Sequence, residues 1–180
     1  MPVKRACFAM ALAAIGLSGC AGEPIESFRG GVPKLEPERY FAGRTHSWGI
    51  VETASGQPKE VLHTQTEGRW DGSSLHFEQD IEFEHGKCEH RSWLIRRVDE
   101  HHYLATGTGI IGTAKGRAYG AVFHLDFTLD ALPGNALGHV HMSQWMYLQE
   151  DGVTLVNRDT LTKAGVILVE ITEEFHKDNP

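Results

Sequence analysis

From residue 40 onward, apolar and polar residues alternate, and turns rich in glycine break the alternation at short, regular intervals. The clearest run is residues 75–84, where Leu75, Phe77, Ile81 and Phe83 share one face and His76, Glu78, Asp80, Glu82 and Glu84 the other. Period two with one apolar face predicts an antiparallel strand packed on a core on one side and wet on the other. The same pattern predicts strands over 41–52, 60–70, 88–98, from about 102, 121–132, 138–149, 153–159 and 165–175. Turn residues separate them, notably Asp71-Gly72, His85-Gly86, Pro133-Gly134-Asn135, Asp151-Gly152 and Lys163-Ala164-Gly165. Gly107, Gly109, Gly112, Gly116 and Gly120 interrupt the pattern and predict bulges, a sharp bend or close backbone approach. A phosphate-binding glycine loop would need a following helix to present its N-terminus, and no helical pattern follows.

Register follows from keeping apolar sets together, since a one-residue slip would mix the two faces. Phe123, Leu125, Phe127 and Leu129 should meet Val140, Met142, Met146 and Leu148. That matching puts Asp130 near His141 and Asp126 near Trp145, with Trp145 and Tyr147 facing outward. The whole is all-β, an antiparallel up-and-down barrel of about 8–10 strands, because a meander with short turns closes most simply that way. Closure also removes the exposed edges of a long open sheet. Whether the inward Phe, Leu, Ile and Met line a cavity or fill it stays open.

The N-terminus adds an address. Lys4 and Arg5 precede an apolar run over 6–16, about the length of a signal-peptide core and short of the ~20 residues a spanning helix needs. Leu17-Ser18-Gly19-Cys20 resembles the lipobox of bacterial lipoproteins. The resemblance implies a leader over 1–19, cleavage before Cys20 and acylation of its sulfur and new amino group. Ala21 after the cysteine then implies anchoring in the outer membrane, facing the periplasm. More than one acyl chain gives stable anchoring. Residues 20–39, with Pro24, Pro33 and Pro37, read as a tether that partly packs and partly floats, ~60 Å if fully extended. Residues 40–180 form the barrel domain.

Removing Lys4 and Arg5 takes the basic residues from 17 to 15 against 24 acids, a net charge of about −9. Such an acidic chain argues against a nucleic-acid partner. Of three cysteines, Cys7 leaves with the leader and Cys20 carries lipid, so Cys88 stands alone and an intramolecular disulfide is excluded. Cys88 itself reads as a small half-buried strand residue.

Several motifs are familiar together. Phe41-Ala-Gly-Arg44-Thr-His-Ser-Trp48-Gly49, Gly68-Arg-Trp70-Asp71-Gly72, Trp145 through Asp151-Gly152, and Asn157-Arg158 resemble a family of bacterial lipoproteins of unknown function, DUF3833. His46 stands where the family often has Arg. The resemblance implies a lipocalin-like or calycin-like barrel with an internal apolar cavity, and it implies no activity.

The candidate ligand-binding residues are Arg158, Asn157, Arg44 and Trp48. Arg158 would either stack on Trp48 as a cation–π plug of one barrel end, or grip an anionic headgroup while an acyl tail fills the cavity. Asn157 would assist by hydrogen bonding. Among eleven histidines, His139 and His141 share a strand face at a spacing zinc sites use, but no third ligand is fixed, so they read as exposed. Haem held by a single His stays open on the same grounds. No catalytic residue, metal or cofactor is assigned. The leading expectation is a non-enzymatic barrel, anchored through acylated Cys20, that binds a fatty acyl chain or lipid. The alternatives are a lipid-modifying envelope enzyme and a filled barrel acting as an interaction module through Trp145 and Tyr147.

Overall fold

The computed structural model describes residues 22–178. The leader over 1–19 and Cys20 lie outside the described residues. Ten antiparallel strands follow one another around a closed barrel. They are β1 (Gly43–Thr53), β2 (Pro58–Trp70), β3 (Ser74–Phe83), β4 (Cys88–Arg97), β5 (His102–Gly107), β6 (Ile110–Tyr119), β7 (Val122–Asp130), β8 (His139–Leu148), β9 (Thr154–Lys163) and β10 (Val166–Lys177). β10 returns to pair with β1, with Phe175 opposite Ser47, so no edge is left open.

One strand is absent from the expected nine. β6 lies in the glycine-rich region, and its inward positions are Ala114, Gly116 and Ala118. They are small because their neighbours are large: a Cβ on Gly116 would meet the Phe123 ring at 2.8 Å and Tyr103 at 3.1 Å. A strand whose core side is Ala-Gly-Ala shows no hydrophobic alternation. The expected bulge is present, as a register shift between Ile111 and Lys115.

The β7–β8 pairing keeps the apolar sets together, with Phe123 opposite Met146, Phe127 opposite Met142 and Leu129 opposite Val140. The polar partners sit two residues from their expected places. Asp130 faces His139 rather than His141, and Trp145 faces His124 rather than Asp126. A shift of two preserves the side-chain face, so the apolar pattern alone cannot fix it. Cys88 is exposed at the start of β4 rather than half-buried.

The two barrel ends differ. Residues 35–41 cross one of them, where Leu35, Tyr40 and Phe41 are buried. Phe41 belongs to this cover rather than to β1: it caps a single helical turn, α1 (Pro37–Tyr40), and its ring stacks on Phe77 at 5.5 Å. Gly68 is needed here, because a Cβ would run into the Phe41 carbonyl. Tyr40 donates its hydroxyl to the carbonyls of Val153 (2.9 Å) and Phe175 (3.1 Å). Lys177 donates to the carbonyls of Arg39, Tyr40 and Ala42. Buried Glu38 accepts from Arg97 (2.7 Å) and the Tyr103 hydroxyl (3.1 Å). The other end is a mouth ringed by the β1–β2, β3–β4, β5–β6, β7–β8 and β9–β10 connections. Among the described residues of the expected tether, Ile25, Leu35, Pro37 and Glu38 are buried and most of the others are exposed. A 3-10 turn over Ile25–Phe28 seats Ile25 against Tyr119 and Val122, beside Trp145 and Tyr147.

Candidate functional site

Halfway along the barrel axis the interior carries a belt of polar side chains. It runs from Arg91 on β4 through Gln79 on β3, Thr64 and Thr66 on β2, Ser47 on β1, Glu173 on β10, Asn157 and Asp159 on β9, to Gln144 on β8. The ladder puts them side by side: Gln79 pairs with Arg91, Thr66 with Gln79, Thr64 with Ser47, Glu173 with Asn157, and Gln144 with Asp159. Aromatic residues toward the closed end (Phe41, Phe77, Phe123, Phe175) lie on one side of the belt, and Leu62, Ile81, Phe83 and Ile171 on the mouth side.

Glu173 is the best-held member. Ser47 Oγ (2.9 Å) and Thr64 Oγ1 (3.2 Å) donate to its Oε1, and Asn157 Nδ2 donates to its Oε2 at 3.3 Å. These bonds favour the anion, while burial disfavours it more and raises the carboxyl above its ordinary range. Glu173 keeps some accessible surface because it faces the cavity. Gly49 makes room for it, since a Cβ there would collide with Glu173 Cγ.

Asp159 is buried, 2% exposed, and its Oδ1 has no hydrogen-bond partner. Burial first, then the Glu173 charge, push its carboxyl well above the usual range; the Asn157 and Gln144 amides and the Arg91 charge act in the opposite sense. Asp159 is pushed the further of the two and so holds a proton more readily, whereas three donors on Glu173 favour its ionised form. Asn157 is fully buried and its Oδ1 is also unpartnered. Arg91 spends its reach on Glu89, at 2.7 Å. On the far side Trp93 donates Nε1–H to Gln79 at 2.7 Å.

The belt borders a cavity of about 80 Å³, measured as space open to the centre of a water molecule. At ~10–15 Å³ per water on that measure, it has room for roughly five to eight waters, or a molecule with about that many heavy atoms. The walls above and below are apolar, so the site suits a small body with one polar, hydrogen-bonding end.

The four residues singled out from sequence do not form one site: Arg44 and Trp48 border one exterior groove beside β1 and β2, and Asn157 and Arg158 lie apart from it. Asn157 points inward and joins the belt. Arg158, its neighbour on a period-two strand, necessarily points outward, where it is exposed and paired with Glu170 at 2.7 Å. Trp48 is also outside, 48% exposed and edge-on to His46 at 4.8 Å and to His63 at 6.1 Å. Arg44 is exposed and 4.0 Å from Glu67. Arg158 thus neither plugs the barrel over Trp48 nor reaches the cavity, because the phase that puts Leu155 and Asn157 inside puts Arg158 outside. Trp145 and Tyr147 do face outward, but the chain's own Ile25 packs there with Tyr119 and Val122.

The exterior offers two further clusters. His124 Nε2 lies 2.9 Å from Ser143 Oγ and 3.2 Å from Asp126 Oδ2. Both contacts use the same ring nitrogen, so the trio cannot relay a proton as a catalytic triad does. His141 meets Asp126 at 3.2 Å, and His90 bridges Glu78 and Asp80. Among the described residues no group of three or more His, Cys, Asp or Glu is arranged to hold a metal ion.

The profile of the family described as "Protein of unknown function (DUF3833)" matches residues 14–177. The chain belongs to that family. Residues of the motifs that carry the resemblance now acquire physical roles, with Gly49 clearing space for Glu173, Gly68 for the Phe41 cover, and Asn157 bonding Glu173. Curated proteins give no match. Among solved structures the chain is similar to the S-type phycobiliprotein lyase CPES of Guillardia theta, at 9% identity and a TM-score of 0.60, covering 79% of this chain and 91% of that one. It is also similar to Rv2717c of M. tuberculosis, at 15% identity and a TM-score of 0.58, covering 81% of this chain and 99% of that one. At these identities the likeness is one of fold, a lipocalin-like barrel.

Sequence reasoning missed Asp159, Glu173, Gln144 and Arg91. The signal was present in the strand phase: Met146 and Leu148 inward place Gln144 inward, Leu155 does the same for Asp159, and Ile171 and Phe175 for Glu173. A polar residue in the apolar phase of its strand was the mark to follow. Arg91 shares its phase with Trp93 and Ile95.

Proposed function

We propose that this chain is a cell-envelope binding protein that holds a small, partly apolar molecule inside its barrel, without catalysing a reaction. The carrying observation is the interior itself, an 80 Å³ cavity with apolar walls, lined also by Glu173 and by Asp159 with an unpartnered carboxyl oxygen. A barrel built only for stability gains nothing from an orphaned Asp159 oxygen, since an unmade buried hydrogen bond costs ~1–3 kcal/mol. The fold it shares with a phycobiliprotein lyase supports a role in handling small molecules. In this reading acylated Cys20 fixes the protein to the outer membrane, and the barrel hangs in the periplasm.

The cavity accommodates only part of a long acyl chain, so the ligand is smaller than a whole lipid or enters with its tail end alone. Native mass spectrometry of the purified chain, set beside an Ile171→Trp variant, tests this. Ile171 is half-buried on the cavity wall, and the larger ring would fill the space at a cost of ~1–3 kcal/mol. Wild type is expected to carry a small molecule that the folded variant lacks. Retention of the same molecule by a folded Ile171→Trp protein overturns the reading.

A further inference from the structure

Resting on that reading, we propose that the ligand carries a cationic amine, seated between Glu173 and Asp159 at the polar belt. Both carboxyl groups are inside the barrel, and among the described residues neither makes an ion pair. All three groups that bond Glu173 are neutral: two hydroxyls and an amide. Asp159 lines the cavity, is buried, and has an Oδ1 without a hydrogen-bond partner. Arg91, the cation on the cavity wall, is engaged with Glu89. A carboxylate removed from water without a counter-ion is strained electrostatically, and a buried charge is usually found paired. An ammonium supplies the missing charge, and its donors fit the two carboxyl groups that line the cavity. A ligand carboxylate would be the third acid at this spot, so the belt selects against fatty acids.

Binding has a proton balance. An ammonium bonded to Asp159 favours its ionised form, so the Asp159 proton goes to solvent as the complex forms. The groups facing Asp159 are Glu173 from β10, Gln144 from β8, Asn157 from its own strand and Arg91 from across the barrel. Among them only Glu173 adds to the attraction for a cation. Amine affinity therefore rises as pH rises toward the point where Asp159 ionises unaided.

The test is calorimetric titration of the full chain in nanodiscs of neutral lipid, with protein-free discs as blank, against hexylamine, hexanol and hexanoate. The three probes share one apolar body and differ in the charge of one end. Hexylamine is expected to bind wild type at least about tenfold more tightly than either of the others, as charge-assisted bonds are the stronger kind. It should also release protons, read from its heat in two buffers of different ionisation enthalpy. Glu173→Gln should bring hexylamine down to the level of hexanol. Asp159→Asn should keep part of the preference and abolish the proton release, and it serves if the first variant does not fold. Equal binding of the three probes, or a preference that survives in folded Glu173→Gln, overturns the amine proposal and leaves the cavity reading standing. Binding of none of them overturns both.

Discussion

At its closed end the barrel is sealed by side chains held to one another by hydrogen bonds and packed rings, whereas at its mouth the strands run out into turns flanked by exposed apolar residues. Phe41, Tyr40 and Glu38 are each buried there and each has several partners from separate strands. Around the mouth, Leu132, Val166 and Leu168 are exposed, and Phe83 and Leu161 are only partly covered. The lesson is a division of labour along one axis. Order comes from below, access lies above, and the unsatisfied polar belt sits between.

The largest break in that contrast should come from Phe41→Ala. It removes an aromatic ring packed on Phe77 and Phe175, and a loss of ~3–5 kcal/mol in denaturant unfolding is expected. Glu38→Ala should cost about 1.5–3 kcal/mol in the same assay, by stripping Arg97 and Tyr103 of their charged partner. A closed end that tolerated both changes would deny the division.

The interior acids and the turn acids should respond to pH in opposite senses. Asp159 has a folded pKa raised above its unfolded value, so the folded state binds the extra proton. Its stabilising contribution is complete below the unfolded value of about 4 and is lost as pH rises through the folded value. Asp159→Asn should therefore flatten the fall in unfolding free energy on the alkaline side. Asp99 is held down at about 2 by the His101 backbone N–H and the His102 ring and N–H, and Asp71 is lowered by the Ser73 and Ser74 N–H groups. Their contribution is present above the unfolded value and lost as pH falls, so Asp71→Asn should weaken the acid dependence instead.

The smallest effect belongs to the outside. Arg158→Ala removes an exposed ion pair and should change stability by no more than ~1 kcal/mol and leave ligand content unaltered. A larger loss would mean that Arg158 does more than its position on the outer face allows.

Much of this fold can be read from the chain. The turns Asp71-Gly72 and Asp151-Gly152 stand where their residues demand, because aspartate side chains accept from the following backbone N–H groups and Gly takes positive φ. The strand at 110–119 is hidden because small inward residues answer large neighbours, which is a tertiary fact. The site is hidden for a related reason. Arg158 is conspicuous as a charge, yet period two gives the interior to Asn157 and Asp159 on either side of it. Polar residues in an apolar phase look like noise until the barrel brings the strands that bear Glu173, Gln144 and Arg91 around the same cavity.

Ile25 carries a consequence for how the molecule is held. It is locked against Tyr119 and Val122 at the closed end, and it stands five positions after Cys20. At ~3.3–3.6 Å per residue that leash is no longer than about 18 Å. An acyl group on Cys20 would thus moor the barrel by its sealed base and turn the mouth away from the bilayer. Cargo would be taken from the aqueous side rather than drawn out of the leaflet beneath.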